Sequence, residues 1–494
     1  MTIRRSLAFS FLEKYASTAI NIGSTLVLAR LLTPEEIGVF SVGAAAVGIL
    51  HALRDFGITS YLIQEREVGP EKLRTAFTVT TGLSWLFAAL LFIAADPAAR
   101  FYGEEGVREV VWVMAVNFVL IPFGAPILAM LRREMRFARI AAIQLVATAV
   151  NAGISILLAA TGHGFMSLAW ASLAGVATTS LLAFATSPHT FLLRPAIKEW
   201  RSVLSFGSYA SGNALVAEVW QSAPDLIMGR MLDFEAVGLY SRAKGVLAIF
   251  GKLIFEGMQP VLLPALSEKV RRGEDLREIY MKAMEHVTVL YWPFLGFIGL
   301  MAPQVILLLL GSQWSAAVPL VQLLAASHAI AFPAFMTQPL LMSLGRIRDV
   351  FVMNLVLAPL PILAVVLGSL HSVEMVAMLT IPNATIGILI ILRFVGRFIP
   401  ISLSEVLWAT RRSALVAGVS ALVPAGLQFS GATAALGAVG STLVAAAGLG
   451  LVWLAMLHLV AHPFRDELRH ILARLPWPSL RRAAADRAAG RAEP

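Results

Sequence analysis

The sequence contains no cysteine and few charged side chains, and both shortages narrow what the chain can do. Without a thiol there is no disulfide framework, no thiolate metal site and no cysteine nucleophile. Charged residues supply only 14% of the 494 positions and hydrophobic residues 58%, against roughly one quarter and one half in soluble domains. A soluble core cannot cover that much apolar surface. The composition therefore predicts an all-α polytopic membrane protein with the bilayer as its main solvent.

Several chemical motifs are also missing. The sequence has no glycine-rich phosphate loop ending in Lys-Ser/Thr, which excludes ATP hydrolysis by this chain. Its 9 histidines are dispersed and never stand at ligand spacing from carboxylates, so we expect no metal and no cofactor. The formal charge of +9 fits the basic loops of a membrane protein better than it fits nucleic-acid binding.

Long apolar segments divided by turn signals indicate many membrane crossings. A helix needs about 20 mostly apolar residues to cross the hydrocarbon core. Breaker pairs such as Thr33-Pro34 and Asp96-Pro97 separate the candidates. The second, seventh and eighth candidates are the least apolar. The chain contains 14 predicted spans: 7–31, 37–58, 75–96, 107–131, 139–160, 163–186, 203–224, 236–262, 282–301, 317–344, 349–370, 373–398, 409–430 and 434–460.

Basic residues lie mainly in alternate connections between these spans. With the N-terminus in the cytoplasm, the inner connections and ends hold 30 Lys and Arg residues and the outer connections only 4. The positive-inside rule then predicts that both termini are cytoplasmic and that the number of spans is even. We expect a multi-pass protein of the bacterial inner membrane whose N-terminal segment is a retained helix and not a cleaved signal peptide.

A stretch near residue 30 recurs 200 residues later. The matching residues include Arg and Glu, which a shared hydrophobic composition does not supply. Each repeat would hold six spans, an even number, so the two copies enter the membrane in the same direction and form parallel bundles with a substrate path between them. The identities pair Arg30, Leu32, Glu35, Gly38 and Ser41 with Arg230, Leu232, Glu235, Gly238 and Ser241.

The repeat sets the predicted domain boundaries. Residues 1–201 form an N-terminal six-helix bundle and residues 202–398 a C-terminal six-helix bundle. Residues 399–461 add two further spans, and residues 462–494 form a basic cytoplasmic tail. In that tail the spacing of apolar residues from Leu468 onward predicts a short interfacial helix.

Four motifs resemble the oligosaccharide flippases of the polysaccharide transporter family. They are residues 28–38 ending span one, 55–58 closing span two, 132–137 between spans four and five, and 225–243 across spans seven and eight. The likeness covers most of residues 5–270 and fades toward the C-terminus. This family belongs to the multidrug/oligosaccharidyl-lipid/polysaccharide exporter superfamily, which also holds lipid II flippases and cation-coupled multidrug exporters.

The resemblance implies a function. An alternating-access flippase of this kind carries undecaprenyl-pyrophosphate-linked oligosaccharide, a surface polysaccharide repeat unit, from the cytoplasmic to the periplasmic leaflet. Its expected partners are that lipid-linked oligosaccharide, membrane lipids, and the polysaccharide polymerase and chain-length machinery. A lipid II flippase or a multidrug exporter stays open as an alternative within the superfamily. A membrane polysaccharide ligase or polymerase is the alternative from another class, and short outer connections poor in His, Asp and Glu disfavour such an enzyme.

Ionisable residues at membrane depth concentrate in the first two spans of each repeat. Such residues are costly in lipid and normally face a bundle interior or a wet cavity. A pyrophosphate needs several cations in a confined, partly dry site. Snorkelling toward an interface is the alternative explanation for those near helix ends. The candidate pyrophosphate ligands are Arg242, Lys252, Arg54, Lys14 and Lys244, of which Lys244 points away from Arg242 around the helix.

Acidic residues and two outer arginines complete the candidate set. Asp55 adjoins Arg54, and Glu256 lies four residues from Lys252, so internal ion pairs are one explanation for these acids. Asp225 follows a proline and has helix capping as its alternative. The sequence alone leaves these alternatives open. The candidate coupling or gating residues are Glu218, Asp225, Asp55, Glu256, Arg30 and Arg230.

Overall fold

The computed structural model describes residues 3–54, 62, 65, 69–186, 195–197 and 200–474. Within these ranges it leaves out the side chains of residues 3–9, 200–211, 213, 250, 252–265 and 470–474. All regular secondary structure in the described part of the chain is helical, which confirms the predicted all-α class.

The first half of the chain forms helices α1 to α7. A short 3₁₀ turn at Ile121–Phe123 joins α4 and α5. The helices are α1 (Ile3–Leu31), α2 (Pro34–Arg54), α3 (Pro70–Tyr102), α4 (Glu105–Leu120), α5 (Ala125–Arg133), α6 (Phe137–Ala160) and α7 (Met166–Thr186).

The second half repeats this arrangement and adds three helices. Turns of 3₁₀ helix at Ser312–Ala317 and Phe332–Met336 precede α12 and α13. The helices are α8 (Trp200–Met231), α9 (Phe234–Arg271), α10 (Leu276–Leu300), α11 (Ala302–Leu309), α12 (Val318–Ala331), α13 (Thr337–Ser343), α14 (Ile347–Leu357), α15 (Pro359–Ser369), α16 (Val373–Val395), α17 (Leu403–Phe429), α18 (Ala432–Leu459) and α19 (Phe464–Arg474).

Eleven helical segments in the described chain are long and apolar enough to cross a membrane, which makes this a multi-pass membrane protein. Three further helices, α1, α8 and α9, have 29, 32 and 38 residues but fall outside that apolar set. Together they are consistent with about 14 spans. The prediction that span two is weakly apolar is wrong, because α2 meets the criterion and α1, with its charged and hydroxyl residues, does not.

Two predicted breaks are absent from the structure. Helix α3 continues through Pro97 and ends at Tyr102, where Gly103 adopts φ 73° and its N–H donates to the carbonyl of Ala99. A proline inside a membrane helix is tolerated when neighbouring groups satisfy the freed backbone. The charged segment 263–282, predicted as a long connection, is mostly helical, because α9 extends to Arg271 and only residues 272–275 separate it from α10.

The sequence repeat coincides with a structural repeat. The first helix of each half ends at residues 200 apart, Leu31 and Met231, and the second begins at Pro34 and Phe234. The residue before each second helix caps it: the Thr33 hydroxyl accepts from the N–H of Glu36 at 3.2 Å, and the Asp233 carboxylate accepts from the N–H of Ala236 at 2.7 Å. The matching positions therefore form the same helix–turn–helix corner twice.

In the described part of the chain, the halves share an apolar core at one end. One cluster of buried residues lies near the Leu31–Pro34 and Met231–Phe234 turns. It contains residues of both halves, including Leu28, Val42, Met228 and Trp314. Toward the opposite end, the described residues of each half form their own clusters. Among the described residues, the two bundles therefore share a core at one end and have separate cores at the other, which the arginine distribution predicts to be the outer and inner ends respectively.

The C-terminal helices pack on α10 through a buried histidine. His462, between α18 and α19, is fully buried, and its Nδ1 accepts from the N–H of Phe464 at 3.1 Å. This fixes the neutral tautomer with the proton on Nε2, which lies 3.2 Å from the hydroxyl of Ser413. Ser413 in turn donates to the carbonyl of Glu285 at 3.0 Å, so one hydrogen-bonded chain links α19, α17 and α10.

We predict that this histidine makes stability pH-dependent. Burial, then His286 and Arg412, lower the pKa of His462 from 6.5 to about 4. The unfolded chain therefore binds a proton that the folded chain does not, and stability is lost as pH falls below 6.5 toward 4. Between pH 7 and pH 5 the loss should be about 2 kcal/mol. Thermal unfolding in detergent should show this loss of stability for the native chain and not for His462→Asn. An equal loss between pH 7 and pH 5 in both chains would contradict this account.

The absence of cysteine allows a direct test of orientation. Thr161 lies in a predicted outer connection and Glu274 in a predicted inner one, and both are exposed. A membrane-impermeant maleimide should label Thr161→Cys in intact cells and Glu274→Cys only after permeabilisation, with the parent chain as the unlabelled control. The reverse pattern would place both termini outside.

Candidate functional site

The two bundles meet, at the end predicted to be the outer one, through a reciprocal crossing of α2 and α9. A Cβ added at Gly38 would overlap the carbonyl oxygen of Phe234, and one added at Gly238 would overlap the carbonyl oxygen of Pro34. Only glycine permits backbones to approach this closely. The repeated glycine therefore forms the same contact twice, once from each half, and brings the bundles into direct backbone contact.

Residues of each half contact the end of the first helix of the other half. On one side, the Tyr102 hydroxyl donates to the carbonyl of Leu226 at 3.2 Å, at the end of α3. On the other, Trp314 donates through its indole N–H to the carbonyl of Ala29 at 2.6 Å, and Gln313 donates to that of Leu32 at 3.0 Å. The bonds from Trp314 and Gln313 satisfy carbonyls at the C-terminal end of α1, where carbonyls lack partners within the helix.

The predicted gating arginines take part in this closure. Arg30 donates to the carbonyl of Leu308 in the opposite half at 2.8 Å. The Arg230 guanidinium lies 5.2 Å from the ring centre of Phe101, also in the opposite half. Both repeat-related arginines therefore bind across the interface at the closed end. Their role in gating remains a prediction.

A cavity of about 510 Å³ lies between the bundles below this closure. Helix α1 forms one wall, α9 the other, and Leu309 and Leu310 lie against it from the second half. Two of the predicted pyrophosphate ligands, Lys14 and Arg242, face it from opposite halves together with Glu13. The structure thus brings charged residues from α1 and α9 to one cavity.

Arg242 is the most distinctive group in this cavity. Its guanidinium lies 6.0 Å from the ring centre of the buried Trp314, and its buried Nε has no hydrogen-bond partner in the described chain. A buried donor without a partner costs free energy, more so when it is charged. Because Arg242 lines the cavity, an anionic group entering it would interact favourably with the guanidinium charge.

A polar stripe on α1 was not predicted. Ser17, Asn21 and Thr25 recur every four residues and, with Thr18, line the cavity. Residues four apart share one helix face, so the spacing was visible in the sequence. Serine and threonine also occur commonly inside membrane helices, where they bond to their own backbone, and this ambiguity hid the pattern.

Lys244 lies in a different place from Arg242. It faces a second cavity of about 450 Å³ inside the C-terminal bundle, together with Gln221, His328 and Asn383. The structure therefore does not join Lys244 to Arg242 in one site. Asp225 is near this lysine, and its Oδ1 is buried without a hydrogen-bond partner in the described residues.

The structure shows the surroundings of two predicted coupling residues, Asp225 and Glu218. Helix α8 runs through Pro224 to Met231, so Asp225 does not cap a helix end, and that alternative is wrong. Glu218 accepts a hydrogen bond from Ser222 at 3.0 Å, a local partner that the sequence reading had not assigned. Its Oε1 also lies against Gly48 of α2, so Glu218 sits at the boundary between the halves.

Of the remaining candidate residues, the structure describes the side chain of Arg54. Arg54 is buried at the inner end of α2, and its guanidinium is 3.5 Å from the Nε2 of His51. Asp55 and the side chains of Lys252 and Glu256 lie outside the described residues. Among the residues whose side chains are described, no group of three His, Asp or Glu could hold a metal ion.

We predict that the glycine crossing cannot accept a methyl group. Gly238→Ala should lower the free energy of unfolding by about 1–3 kcal/mol, because the added Cβ forces α2 and α9 apart. Gly82→Ala in α3, where nothing lies within 4 Å of the added Cβ, is the matched control and should be neutral or slightly stabilising. Thermal unfolding measures both, and similar midpoints for the two variants would refute the tight crossing.

Comparison with known proteins shows which family the sequence resembles. The sequence profile of the family described as polysaccharide biosynthesis protein matches residues 27–319. The succinoglycan biosynthesis transport protein ExoT of Rhizobium meliloti (strain 1021) is 26% identical over 78% of this chain and 78% of its own length. The lipopolysaccharide biosynthesis protein WzxC of Escherichia coli (strain K12) is 24% identical over 71% of this chain and 73% of its own.

A solved structure shows the same fold. The lipid II flippase MurJ, in an inward closed conformation, superposes with a TM-score of 0.73 over 93% of this chain and 99% of its own, at 13% identity. This likeness shows the fold alone, and that fold agrees with the predicted fold class. The matched profile covers more than half of the sequence, including the Gly38 and Gly238 crossing and Arg242, and the chain belongs to the polysaccharide biosynthesis protein family.

Proposed function

We propose that this protein is a transporter that moves undecaprenyl-pyrophosphate-linked oligosaccharide from the cytoplasmic to the periplasmic leaflet. The observation that carries the proposal is a cavity between two bundles, sealed at one end and lined by cations from both halves, Lys14 and Arg242. Family membership supports the substrate class, since ExoT and WzxC are named for polysaccharide transport and lipopolysaccharide biosynthesis.

Alternating access follows from the one-sided closure. The substrate headgroup enters the cavity from the inner end, where the described residues of the two bundles form separate cores. The outer crossing at Gly38 and Gly238 must then part while the inner ends approach. Arg30 and Arg230 bind across the outer interface, so we propose that they hold it shut and release on opening.

Coupling to an ion is the proposed role of the buried acids. Asp225 has an unsatisfied buried oxygen, and Glu218 packs directly against α2 of the other half. A proton or cation bound at such a carboxylate neutralises its charge and lowers the free-energy cost of burying it. Binding therefore favours the packing of the bundles in which the carboxylate is buried. Asp55 and Glu256 remain in this proposal on sequence grounds.

The alternatives fit less well. A cationic drug would meet the positive charge of Lys14 and Arg242, which disfavours multidrug export. Lipid II carries the same pyrophosphate as the proposed substrate, so the cavity alone does not separate the two, but the family does. We further propose that the protein works beside a polysaccharide polymerase and its chain-length machinery, with both termini cytoplasmic.

The direct test uses a deletion strain. Loss of the protein should cause undecaprenyl-pyrophosphate-linked oligosaccharide to accumulate on the cytoplasmic face. The native chain should restore surface polysaccharide, and Arg242→Ala should restore at most about one tenth of that amount. The reason is that a lost hydrogen bond to a charged group costs about 1.5–3 kcal/mol.

Arg411→Ala is the matched control for this experiment. Arg411 stacks on the exposed Trp408, 3.5 Å from its ring centre and outside the cavity, so its loss should leave complementation intact. Equal rescue by the native chain and Arg242→Ala would remove Arg242 from the site. A deletion without accumulation, with surface polysaccharide unchanged, would refute the proposed function.

A further inference from the structure

The connection between α16 and α17 contains two arginines at the level of a membrane surface. It joins two segments that are long and apolar enough to cross a membrane, Val373–Val395 and Leu403–Phe429. A connection between consecutive spans lies where the lipid headgroups are. Arg393 is in the last turn of α16, Arg397 follows four residues later, and both side chains are exposed. The distribution of basic residues predicts that this connection faces the inner leaflet.

Buried neighbours fix the direction of these two side chains. Leu392 and Val395 belong to the apolar cluster beneath the connection. Arg393 and Arg397 alternate with these buried positions and are exposed. The Arg397 guanidinium also lies 4.6 Å from the ring centre of the buried Phe394. The core therefore holds the backbone of the connection while both guanidinium groups stay at the surface.

Both arginines line a cleft between the inner end of α16 and the start of α17. Its volume is about 750 Å³, within the range of about 300–1,000 Å³ that is usual for sites that bind small molecules. Leu389 and Leu403 contribute apolar walls, one from each helix, and are 46% and 43% exposed. Leu389 lies about one helical turn deeper in the membrane than Arg393. The cleft thus combines cations at the level of the headgroups with apolar surface at the level of the acyl chains.

The cleft carries a net positive charge. Among the described side chains, Arg393 and Arg397 have no carboxylate partner. The carboxylate in the described lining, Glu405, is already engaged. It accepts from the N–H of Ser402 at 2.8 Å and forms an ion pair with Arg277. Arginines near a membrane surface attract anionic lipid, and these two have no acidic side chain that competes for them.

Cations of the preceding inner connection are compensated in a different way. Lys269 forms an ion pair with Glu274 at 3.0 Å, and Arg272 forms one with Glu268. A carboxylate beside each of these cations neutralises its charge. We therefore expect them to attract a lipid phosphate less strongly than the arginines of the cleft do.

We propose that this cleft binds the headgroup of an anionic phospholipid of the inner leaflet. The lipid phosphate accepts charge-assisted hydrogen bonds from Arg393 and Arg397. One acyl chain lies along the exposed side chains of Leu389 and Ile386, which continue the same face of α16 into the membrane. Basic clefts between membrane helices at the cytoplasmic surface bind headgroups of this kind. The bound lipid connects α16 to α17 and stabilises the junction between them.

A lipid titration of the purified full chain tests this proposal. Phosphatidylglycerol is added to the chain in detergent, and bound lipid is measured by native mass spectrometry. The native chain should bind phosphatidylglycerol more tightly than phosphatidylcholine, whose headgroup has no net charge. The double variant Arg393→Gln, Arg397→Gln should bind phosphatidylglycerol about tenfold more weakly, because each arginine near the surface adds to the attraction for anionic lipid. Glycerol 3-phosphate, which has the phosphate and no acyl chain, should bind weakly to every chain.

Two further variants control for charge and for folding. Lys269→Gln with Arg272→Gln removes the same charge from paired cations and should bind phosphatidylglycerol as the native chain does. Arg393→Lys with Arg397→Lys keeps the charge and should retain most of the binding.

The outcomes that would overturn the proposal are distinct. One is equal affinity for phosphatidylglycerol in the native chain and in Arg393→Gln, Arg397→Gln. Another is equal affinity of the native chain for phosphatidylglycerol and phosphatidylcholine, a comparison that a folding defect in a variant cannot affect. Binding of glycerol 3-phosphate as tightly as the lipid would assign the cleft to a free phosphate instead.

Discussion

Direct backbone contact between α2 and α9 is the constraint on which the other features depend. Gly38 and Gly238 let each helix approach the carbonyl at the start of the other, at Phe234 and Pro34. Once these ends touch, the ends of α1 and α8 come within reach of the opposite half, and Arg30, Tyr102 and Trp314 each donate to a backbone carbonyl across the interface. The space left below this contact is the cavity. Its lining includes charged residues, because ionisable side chains at membrane depth are tolerated where they face a cavity and not lipid.

The repeat was the strongest prediction from sequence, because it depends on matching residues and not on composition. It located both helix corners and the glycine pair, and the same offset related the two arginines that bind across the interface. Charge clustering likewise predicted that Lys14 and Arg242 share a cavity. The spacing also predicted that Lys244 points away from Arg242, but it could not say which space each residue faces. That depends on the rotation of α9 relative to its neighbours, which directs Lys244 into the C-terminal bundle beside His328.

Other failures have local causes. A proline predicts a helix end, yet α3 continues through Pro97, and a charged segment predicts a loop, yet α9 and α10 run through most of 263–282. In both cases tertiary context outweighed the local signal. The stripe at Ser17, Asn21 and Thr25 escaped notice because uncharged polar residues are common in membrane helices. Its meaning depends on which face of α1 borders the cavity, and only the packed structure shows that.

The central claim is that the outer contact is one of two alternating packings, and a distance measurement tests it most directly. Spin labels at Glu35→Cys and Glu235→Cys would report on the exposed, repeat-related positions that directly follow Pro34 and Phe234, in a chain without native cysteine. In proteoliposomes without substrate, the account predicts a single short distance. With undecaprenyl-pyrophosphate-linked oligosaccharide present, it predicts a second, longer population as the outer ends part. A distribution that stays short and unchanged while substrate is being translocated would contradict it.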